Sequence, residues 1–301
     1  MLRSGRLPGG GQTTAMQTQA NVQAEERERA SSPPRAQIRL LVVDIDGTIA
    51  GPSNQVSEPV REAIQKAKAA GVRVAIATGR MHRSAERFHY AIGADMPLCS
   101  YQGALIRDPD SQKTLKHWSL DWPLAEELLQ ALQDQPVGVH LYIDDQLYLR
   151  ELSPLSQAYA ERSQVPFQMF SSAQYGRSPT KILAVSEDTE FLQELQGSLR
   201  RRYSPDQLYL TRSEPIFLEA THPAVNKGNA VRFLAEEMLG LSAEQVMAIG
   251  DGDNDIEMLR YAGIGVAMGN ASPALLPHAD WIAPPVAEDG VAAAIETFIL
   301  G

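Results

Sequence analysis

The stretch IRLLVVDIDGT at residues 38–48 decides the fold. Its apolar half is typical of a buried strand, and two carboxylates, Asp44 and Asp46, follow directly. A carboxylate in an apolar setting loses much of its hydration energy, and two neighbouring carboxylates repel and separate their pKa values. The pair therefore predicts a metal site in which one carboxylate is a nucleophile and the other transfers a proton. A calcium loop is the alternative, although apolar residues and a glycine interrupt the run of oxygen ligands that it needs.

Apolar strands alternate with helical segments after this stretch. The predicted order is helix, strand, helix and strand, at 57–71, 72–77, 84–92 and 97–101. This alternation predicts an α/β fold with a Rossmann-like, doubly wound parallel sheet. Ligands collect at the carboxyl ends of the strands in such a sheet, and Asp44 and Thr78 lie at two of these ends.

The regular alternation of strands and helices ends after Trp118. Strand-like segments at 138–143, 146–149, 181–185, 207–210 and 216–219 are mixed with helix-like segments at 123–132, 153–162 and 189–201. Asp144 and Asp145 are typical of a hairpin turn between the first two of these strands. We interpret the block as an inserted α+β domain that packs over the site. The alternation then resumes, with a helix from Lys227 and a strand at 246–249.

The chain is thus predicted to have three parts. Residues 38–117 and 218–301 form the catalytic core, and residues 118–217 form a cap. Residues 1–37 are rich in small and polar residues without a hydrophobic period, and we interpret them as a disordered extension. A transit peptide and an alternative start at Met16 stay open for this segment.

Three further segments place polar groups at the same predicted sheet edge. The acidic cluster GDGDND at 250–255 follows an apolar strand, and Thr78-Gly79-Arg80 follows another. Lys227 opens a helix, where its positive charge interacts unfavourably with the helix dipole. An anion within reach of the lysine would offset this cost. Taken alone, each segment also fits a solvated turn or a surface lysine. Two acidic clusters at the ends of strands in one sheet favour a common site.

The composition limits the partners. Of 301 residues, 44% are hydrophobic, and the net charge is -10 at pH 7. This acidity disfavours nucleic-acid binding, which needs Lys and Arg against phosphates, but a local metal allows small phosphorylated substrates. No apolar run approaches the roughly 18–20 residues of a membrane span. The single cysteine, Cys99, precludes an intramolecular disulfide and is interpreted as a buried inert thiol; we predict a cytoplasmic protein.

The ordered segments resemble the four motifs of the haloacid dehalogenase (HAD) superfamily. The matching residues are DxDGT at 44–48, TGR at 78–80, Lys-Gly at 227–228 and GDGxND at 250–255. The insert resembles the C2-type cap of the Cof-type phosphatase branch, and VAMGNA at 266–271 matches the same branch. The resemblance extends over nearly all of the chain beyond the N-terminal extension. It is specific for the superfamily and much less so for the substrate.

The resemblance implies a division of roles. Asp44 would be the nucleophile that forms an aspartyl-phosphate, and Asp46 would protonate the leaving oxygen and then activate water. Thr78 and the Gly79 backbone would hold the phosphoryl oxygens, while Lys227 would offset charge on the nucleophile and the phosphate. Phosphoryl transfer depends mainly on positioning and charge neutralisation, so these residue types suit it independently.

The same resemblance implies a magnesium site. Mg²⁺ would be held by Asp44, the backbone carbonyl of Asp46, and Asp251. Asp255 would support the metal from behind, and Asn254 would contact the phosphate. Hard carboxylate and carbonyl oxygens are ligands that Mg²⁺ prefers.

One position departs from the branch. The usual Asn-Gly-Ala is replaced by Gln102-Gly103-Ala104, so the amide is retained on a side chain longer by one methylene. The role of Gln102 is therefore open. The role of Arg80 is open as well, because an arginine at the start of a helix can pair with a core carboxylate instead of a phosphate.

We therefore predict a Mg²⁺-dependent phosphatase that acts on phosphate monoesters of small metabolites, such as a sugar phosphate. Within enzymes, the alternatives are a sugar-phosphate-specific phosphatase of the sucrose-phosphate type and a phosphomutase. From another class, the alternative is an inactive protein that binds a phosphorylated ligand. Nothing in the sequence indicates the physiological substrate or the oligomeric state.

Overall fold

The computed structural model describes residues 37–301, so residues 1–36 of the predicted disordered extension lie outside the described residues. The strands are β1 Leu40–Val43, β2 Arg73–Ile76, β3 Leu98–Ser100, β4 Leu105–Arg107, β5 Thr114–His117, β6 Gly138–Ile143, β7 Gln146–Leu149, β8 Phe167–Met169, β9 Lys181–Val185, β10 Tyr209–Thr211, β11 Phe217–Thr221, β12 Val246–Gly250, β13 Ile264–Ala267 and β14 Trp281–Ile282. The helices are α1 Glu58–Ala69, α2 His82–Ile92, α3 Trp122–Ala131, α4 Pro154–Ser163, α5 Thr189–Arg202, α6 Lys227–Arg232, α7 Ile256–Tyr261 and α8 Gly290–Ile295. Within these described residues, no helix combines the length and the apolar character that a bilayer crossing requires.

A five-stranded parallel sheet forms the core, in the order β14-β13-β12-β1-β2. All four residues of β1 are buried, because helices cover both faces of the sheet. Leu41 packs in the cluster that holds Ile64 of α1, and Leu40 packs in the cluster that holds Val231 of α6. Each such buried leucine contributes about 1.5–3 kcal/mol of hydrophobic stabilisation. The predicted α/β class with a doubly wound parallel core is confirmed.

The third predicted strand differs in its pairing. β3 pairs antiparallel with β4 in a three-stranded sheet, β3-β4-β5, and joins the core sheet through one parallel bridge between Ala77 and Cys99. Directly after β3, Tyr101 and Gln102 have φ values of 52° and 61°. This left-handed backbone turns the chain sharply back into β4. Residues other than glycine rarely adopt it outside turns. The β4–β5 hairpin is absent from the sequence-based expectation.

The insert contains a six-stranded sheet in the order β10-β11-β9-β6-β7-β8. All its pairs are antiparallel except β7 with β8. Helices α3 and α5 cover one face of this sheet. The other face packs against core residues such as Met81 and Tyr101. The last strand, β11, crosses the predicted boundary between residues 217 and 218, and the boundaries of core and cap stay a prediction.

Candidate active site

Asp44 lies at the carboxyl end of β1 and meets Lys227 from α6. The Lys227 Nζ is 2.7 Å from Asp44 Oδ1 and 2.6 Å from Asp255 Oδ1. Lys227 is 1% exposed and Asp44 is 5% exposed. A buried ammonium between two carboxylates offsets their charges where water cannot. The structure thus brings together three of the sequence-predicted site residues.

The carboxyl groups around this lysine have shifted pKa values. Burial raises the pKa of Asp44 to about 7; the Lys227 charge opposes this, and the Asp255 charge adds to it. Burial also raises the pKa of Asp251 to about 8, with further contributions from the charges of Asp44 and Asp255. Burial and the repulsion between neighbouring carboxylates thus both disfavour the ionised forms of Asp44 and Asp251.

The same carboxylates form a donor set that fits a divalent cation. Ligand oxygens of Asp44, Asp251 and Asp255 lie within 4.8 Å of one another. Asp255 is already engaged, because its Oδ2 accepts the backbone N–H groups of Asp251 and Gly252, each at 2.9 Å. A carboxylate held in this way fixes the loop that carries Asp251. A divalent cation among these oxygens would favour the ionised forms of Asp44 and Asp251, whose pKa values are raised by burial.

Asp46 has a different environment. It lies two residues past Asp44, and Arg80 binds it through two hydrogen bonds, Nε to Oδ2 at 2.7 Å and Nη2 to Oδ1 at 2.6 Å. Arg162, from helix α4 of the insert, adds a bond from its Nη2 to Asp46 Oδ1 at 3.1 Å. Burial alone would raise the pKa of Asp46, but the bonds and charges of Arg80 and then Arg162 hold it below its ordinary value. Of the two alternatives for Arg80, pairing with a core carboxylate is the one that the structure contains.

Thr78, Gly79 and Asn254 line a small cavity together with Asp44 and Asp251. Its volume is about 50 Å³. That space corresponds to a few water molecules and suits a phosphoryl group. All the sequence-predicted site residues therefore lie around one chamber. Lys227 and Asp255 do not line it directly; Lys227 contacts Asp44, and Asp255 contacts Asp251.

A larger cleft opens next to this chamber. Its volume is about 890 Å³, and Asp46, Arg162, Glu214 and Asp251 lie on its wall. Arg162 bridges the two spaces, since it also lines the chamber and pairs with Glu214 at 2.8 Å. The small chamber at the carboxylates therefore adjoins a larger cleft, and the two share Asp46, Arg162 and Asp251 in their walls.

Gly47 allows the close approach of the two acidic loops. Its φ is 73°, and a Cβ atom at this position would lie 1.9 Å from Asp251 Oδ2. Asn270, within the segment 266–271, donates from Nδ2 to Gly47 O at 2.9 Å and to Asp251 Oδ2 at 3.1 Å. Any side chain at Gly47 would displace the Asp251 carboxylate.

Several residues of the insert reach the site that sequence reasoning did not single out. Lys181 and Glu219 line the chamber from strands β9 and β11, and Arg162 contacts Asp46. Lys181 and Arg162 lie in the predicted insert, and Glu219 lies just past its predicted end at residue 217. None of the three belongs to a local motif, so the sequence carries no signal for them. Asp145 is a turn residue as predicted, but it is also buried and accepts the Tyr101 hydroxyl at 2.7 Å.

The fold and the site define a hydrolase with an α/β core, built on paired carboxylates at the ends of parallel strands. The haloacid dehalogenase-like hydrolase family matches residues 41–295, and the chain belongs to this family. This confirms the superfamily that the motifs predict.

Related proteins and structures agree with this assignment. The putative phosphatase YxeH of Bacillus subtilis is 30% identical over 273 residues, which cover 87% of this chain and 98% of that protein. The 5-amino-6-(5-phospho-D-ribitylamino)uracil phosphatase YcsE of Bacillus subtilis is 29% identical and covers 87% of this chain and 96% of its own length. A haloacid dehalogenase-like hydrolase from Bacteroides thetaiotaomicron superposes with a TM-score of 0.76 at 28% identity, over 87% of this chain and 99% of that chain. The enzyme class, a phosphatase of the haloacid dehalogenase type, is confirmed.

Proposed function

We propose that this protein hydrolyses phosphate monoesters of small metabolites with Mg²⁺, through an aspartyl-phosphate on Asp44. The observation that carries the proposal is the Lys227 ammonium, which lies within 2.7 Å of Asp44 and of Asp255 beside a phosphoryl-sized chamber. A nucleophilic carboxylate must stay ionised and oriented while an anionic phosphoryl group approaches. A buried cation in this position meets both needs.

The remaining residues complete the roles. Thr78 and the Gly79 backbone would bind the phosphoryl oxygens, and Asn254 would donate from its side-chain amide. The Thr78 Oγ1 already accepts the Arg80 backbone N–H at 3.2 Å, which leaves its own hydroxyl hydrogen for a phosphoryl oxygen. Hydrogen bonds that are fixed before the substrate arrives stabilise the developing charge without reorganisation.

Asp44, the backbone carbonyl of Asp46, and Asp251 would hold Mg²⁺, and Asp255 would steady the loop of Asp251. When bound, Mg²⁺ supplies positive charge against the nucleophile and the phosphoryl oxygens. The raised pKa values of Asp44 and Asp251 support this assignment, because both carboxylates gain from an added cation.

Asp46 would act on the leaving oxygen and on water. Its pairing with Arg80 and Arg162 favours the ionised form, which accepts a proton from the attacking water. To protonate the leaving oxygen, the carboxyl must first take up a proton. Arg162 is about half exposed, so its contact with Asp46 loosens more easily than that of Arg80, and its departure would favour proton uptake.

The insert would act as a cap that limits the size of the substrate. The phosphoryl group would occupy the chamber and the leaving group the cleft of about 890 Å³, which has the size of a small-metabolite pocket. The cap excludes bulk water when it lies over the site. We therefore propose a small phosphorylated metabolite as substrate, with specificity decided by cap residues.

Two alternatives remain to be tested. A phosphomutase would share the phosphorylated Asp44 but would pass the phosphoryl group to a sugar hydroxyl. An inactive binding protein would retain the chamber but would not turn over. The intact set of Asp44, Asp46 and Lys227 supports a catalyst over a binder.

A phosphatase screen over a metabolite panel, with and without Mg²⁺, tests the proposal. The panel should include hexose phosphates and 5-amino-6-(5-phospho-D-ribitylamino)uracil, on which the relative YcsE is named to act. We expect Mg²⁺-dependent release of inorganic phosphate that Asp44→Asn abolishes. Transfer between hydroxyls without release would favour the mutase, and no turnover of any monoester would favour the binder.

A further inference from the structure

Gln102 makes contacts that the proposed catalytic roles do not use. Its side chain is fully buried, and its Oε1 accepts a hydrogen bond from Asn254 Nδ2 at 3.0 Å. Its Nε2 donates to Glu219 Oε2 at 2.9 Å. Gln102 thus joins a core side chain that lines the phosphoryl chamber to a carboxylate from the insert.

The insert holds its end of this connection with an ion pair. Glu219 Oε1 accepts from Lys181 Nζ at 3.2 Å and from Ser213 Oγ at 2.7 Å. Lys181 also donates to the Gly79 carbonyl at 2.8 Å, although it lies on strand β9 of the insert. Lys181 and Glu219 are each about 2% exposed, so neither charge can be left without its partner at low cost.

The chain is also tightly constrained around Gln102. Its backbone N–H donates to the Thr78 carbonyl at 2.8 Å, and its φ is 61°. A Cβ atom on Gly79 would lie 2.4 Å from Gln102 Nε2, so the amide passes directly over the phosphate-binding loop. Gln102 thus combines a strained backbone with hydrogen bonds to both its amide oxygen and its amide nitrogen, next to Thr78 and Gly79. This combination points to a positioning role.

The length of the side chain matters to this connection. An asparagine, which is typical of the Cof-type branch, would be shorter by one methylene, or about 1.5 Å. From the same backbone position, it could not keep both the Asn254 bond and the Glu219 bond. One of the two buried polar groups would then lack its partner.

We propose that Gln102 is a positioning residue that fixes the Asn254 amide for the phosphoryl group and makes this alignment depend on the Lys181–Glu219 pair of the insert. The inference rests on the proposed function, since it assigns Asn254 to the phosphoryl group. One N–H of the Asn254 amide is used by Gln102, and the other has no protein acceptor within residues 37–301. Without the Glu219 carboxylate, the Gln102 amide would be free to turn. Asn254 would then lose the acceptor that orients its amide toward the phosphoryl group.

An exchange of the two partners tests this connection. In Gln102→Glu, a carboxylate faces Glu219 where an N–H donor stood, so the bond is replaced by repulsion. In the double variant Gln102→Glu with Glu219→Gln, the amide nitrogen introduced at position 219 can donate to the new carboxylate, and the amide oxygen can still accept from Lys181 and Ser213. The Asn254 bond and the net charge are preserved. Gln133→Glu, at an exposed position of the insert, is the matched control for the change in charge.

Two measurements read the outcome: the affinity for inorganic phosphate with Mg²⁺, by calorimetry, and kcat/KM for p-nitrophenyl phosphate. For Gln102→Glu we expect both to fall about tenfold to a hundredfold, the cost of one misaligned buried hydrogen-bond partner. The double variant should regain most of the loss, and Gln133→Glu should match the wild type. Gln102→Asn, which introduces no charge, should show a smaller loss and serves if Gln102→Glu does not fold.

The proposal is overturned if Gln102→Asn or a folded Gln102→Glu keeps phosphate affinity within about twofold of wild type, or if the folded exchange variant recovers nothing. Phosphate affinity is measured without turnover. If the wild-type protein binds phosphate but hydrolyses nothing, the proposed function fails while the positioning role is still tested.

Discussion

Replacing Lys227 with methionine leaves two buried carboxylates facing each other without a cation. The lost ammonium lies 2.7 Å from Asp44 and 2.6 Å from Asp255, and its side chain is fully buried. Removing one partner of a buried ion pair costs about 3–5 kcal/mol of stability, because the remaining charge lacks both partner and water. We expect Lys227→Met to lower the free energy of unfolding by that amount at about pH 8 without Mg²⁺.

Urea unfolding followed by circular dichroism measures this loss. Lys66→Met is the matched control, since Lys66 is 60% exposed and lies 3.3 Å from Glu296. Such a surface pair contributes about 0–1 kcal/mol. The loss in Lys227→Met should shrink toward pH 5, where a protonated Asp44 no longer needs a cation. A loss below about 1 kcal/mol at pH 8, or one that does not change with pH, would refute the balance of buried charges described here.

Four further predictions concern the carboxylates of the site. Because burial raises the folded-state pKa values of Asp44 and Asp251 from the ordinary 3.8 to about 7 and about 8, the metal-free protein should lose stability as pH rises from about 4 to about 8. Mg²⁺ competes with those protons, so its stabilisation in thermal unfolding should grow from about pH 6 to about pH 8, and a flat profile would contradict the site. Asp46→Asn should bind Mg²⁺ as the wild type does but lose turnover; strong loss of metal affinity, by calorimetry, would mean that the roles of Asp44 and Asp46 are reversed. Arg162→Met removes one of the two cations on Asp46, so the acidic limb of the pH–rate profile should move to higher pH, and an unchanged limb would argue against this contact.

The sequence predicts the site through the positions of strand ends. Parallel strands put their carboxyl ends on one edge of the sheet, so Asp44, Thr78 and Asp251 could be brought together without coordinates. Lys227 could be added because a lysine at a helix start is unfavourable unless it meets an anion. Local rules therefore suffice for the residues that stand on the core strands.

The contacts made by the insert follow from tertiary packing instead. Arg162 reaches Asp46, which is 116 residues away in the chain, and Lys181 reaches Gly79 across 102 residues. These contacts depend on how the six-stranded sheet packs against the core, and no local sequence pattern predicts that packing. The antiparallel pairing of β3 is similar, because it depends on the left-handed backbone of Tyr101 and Gln102, two residues without a strong preference for that conformation.

Detection of the phosphorylated enzyme tests the central claim most directly. The protein is mixed with p-nitrophenyl phosphate and Mg²⁺, quenched in acid during turnover, digested and analysed by mass spectrometry. We predict that the peptide containing Asp44 gains the mass of one phosphoryl group and that Asp44→Asn shows neither the adduct nor hydrolysis. Sustained hydrolysis by Asp44→Asn, or a phosphoryl group on another residue, would contradict the account.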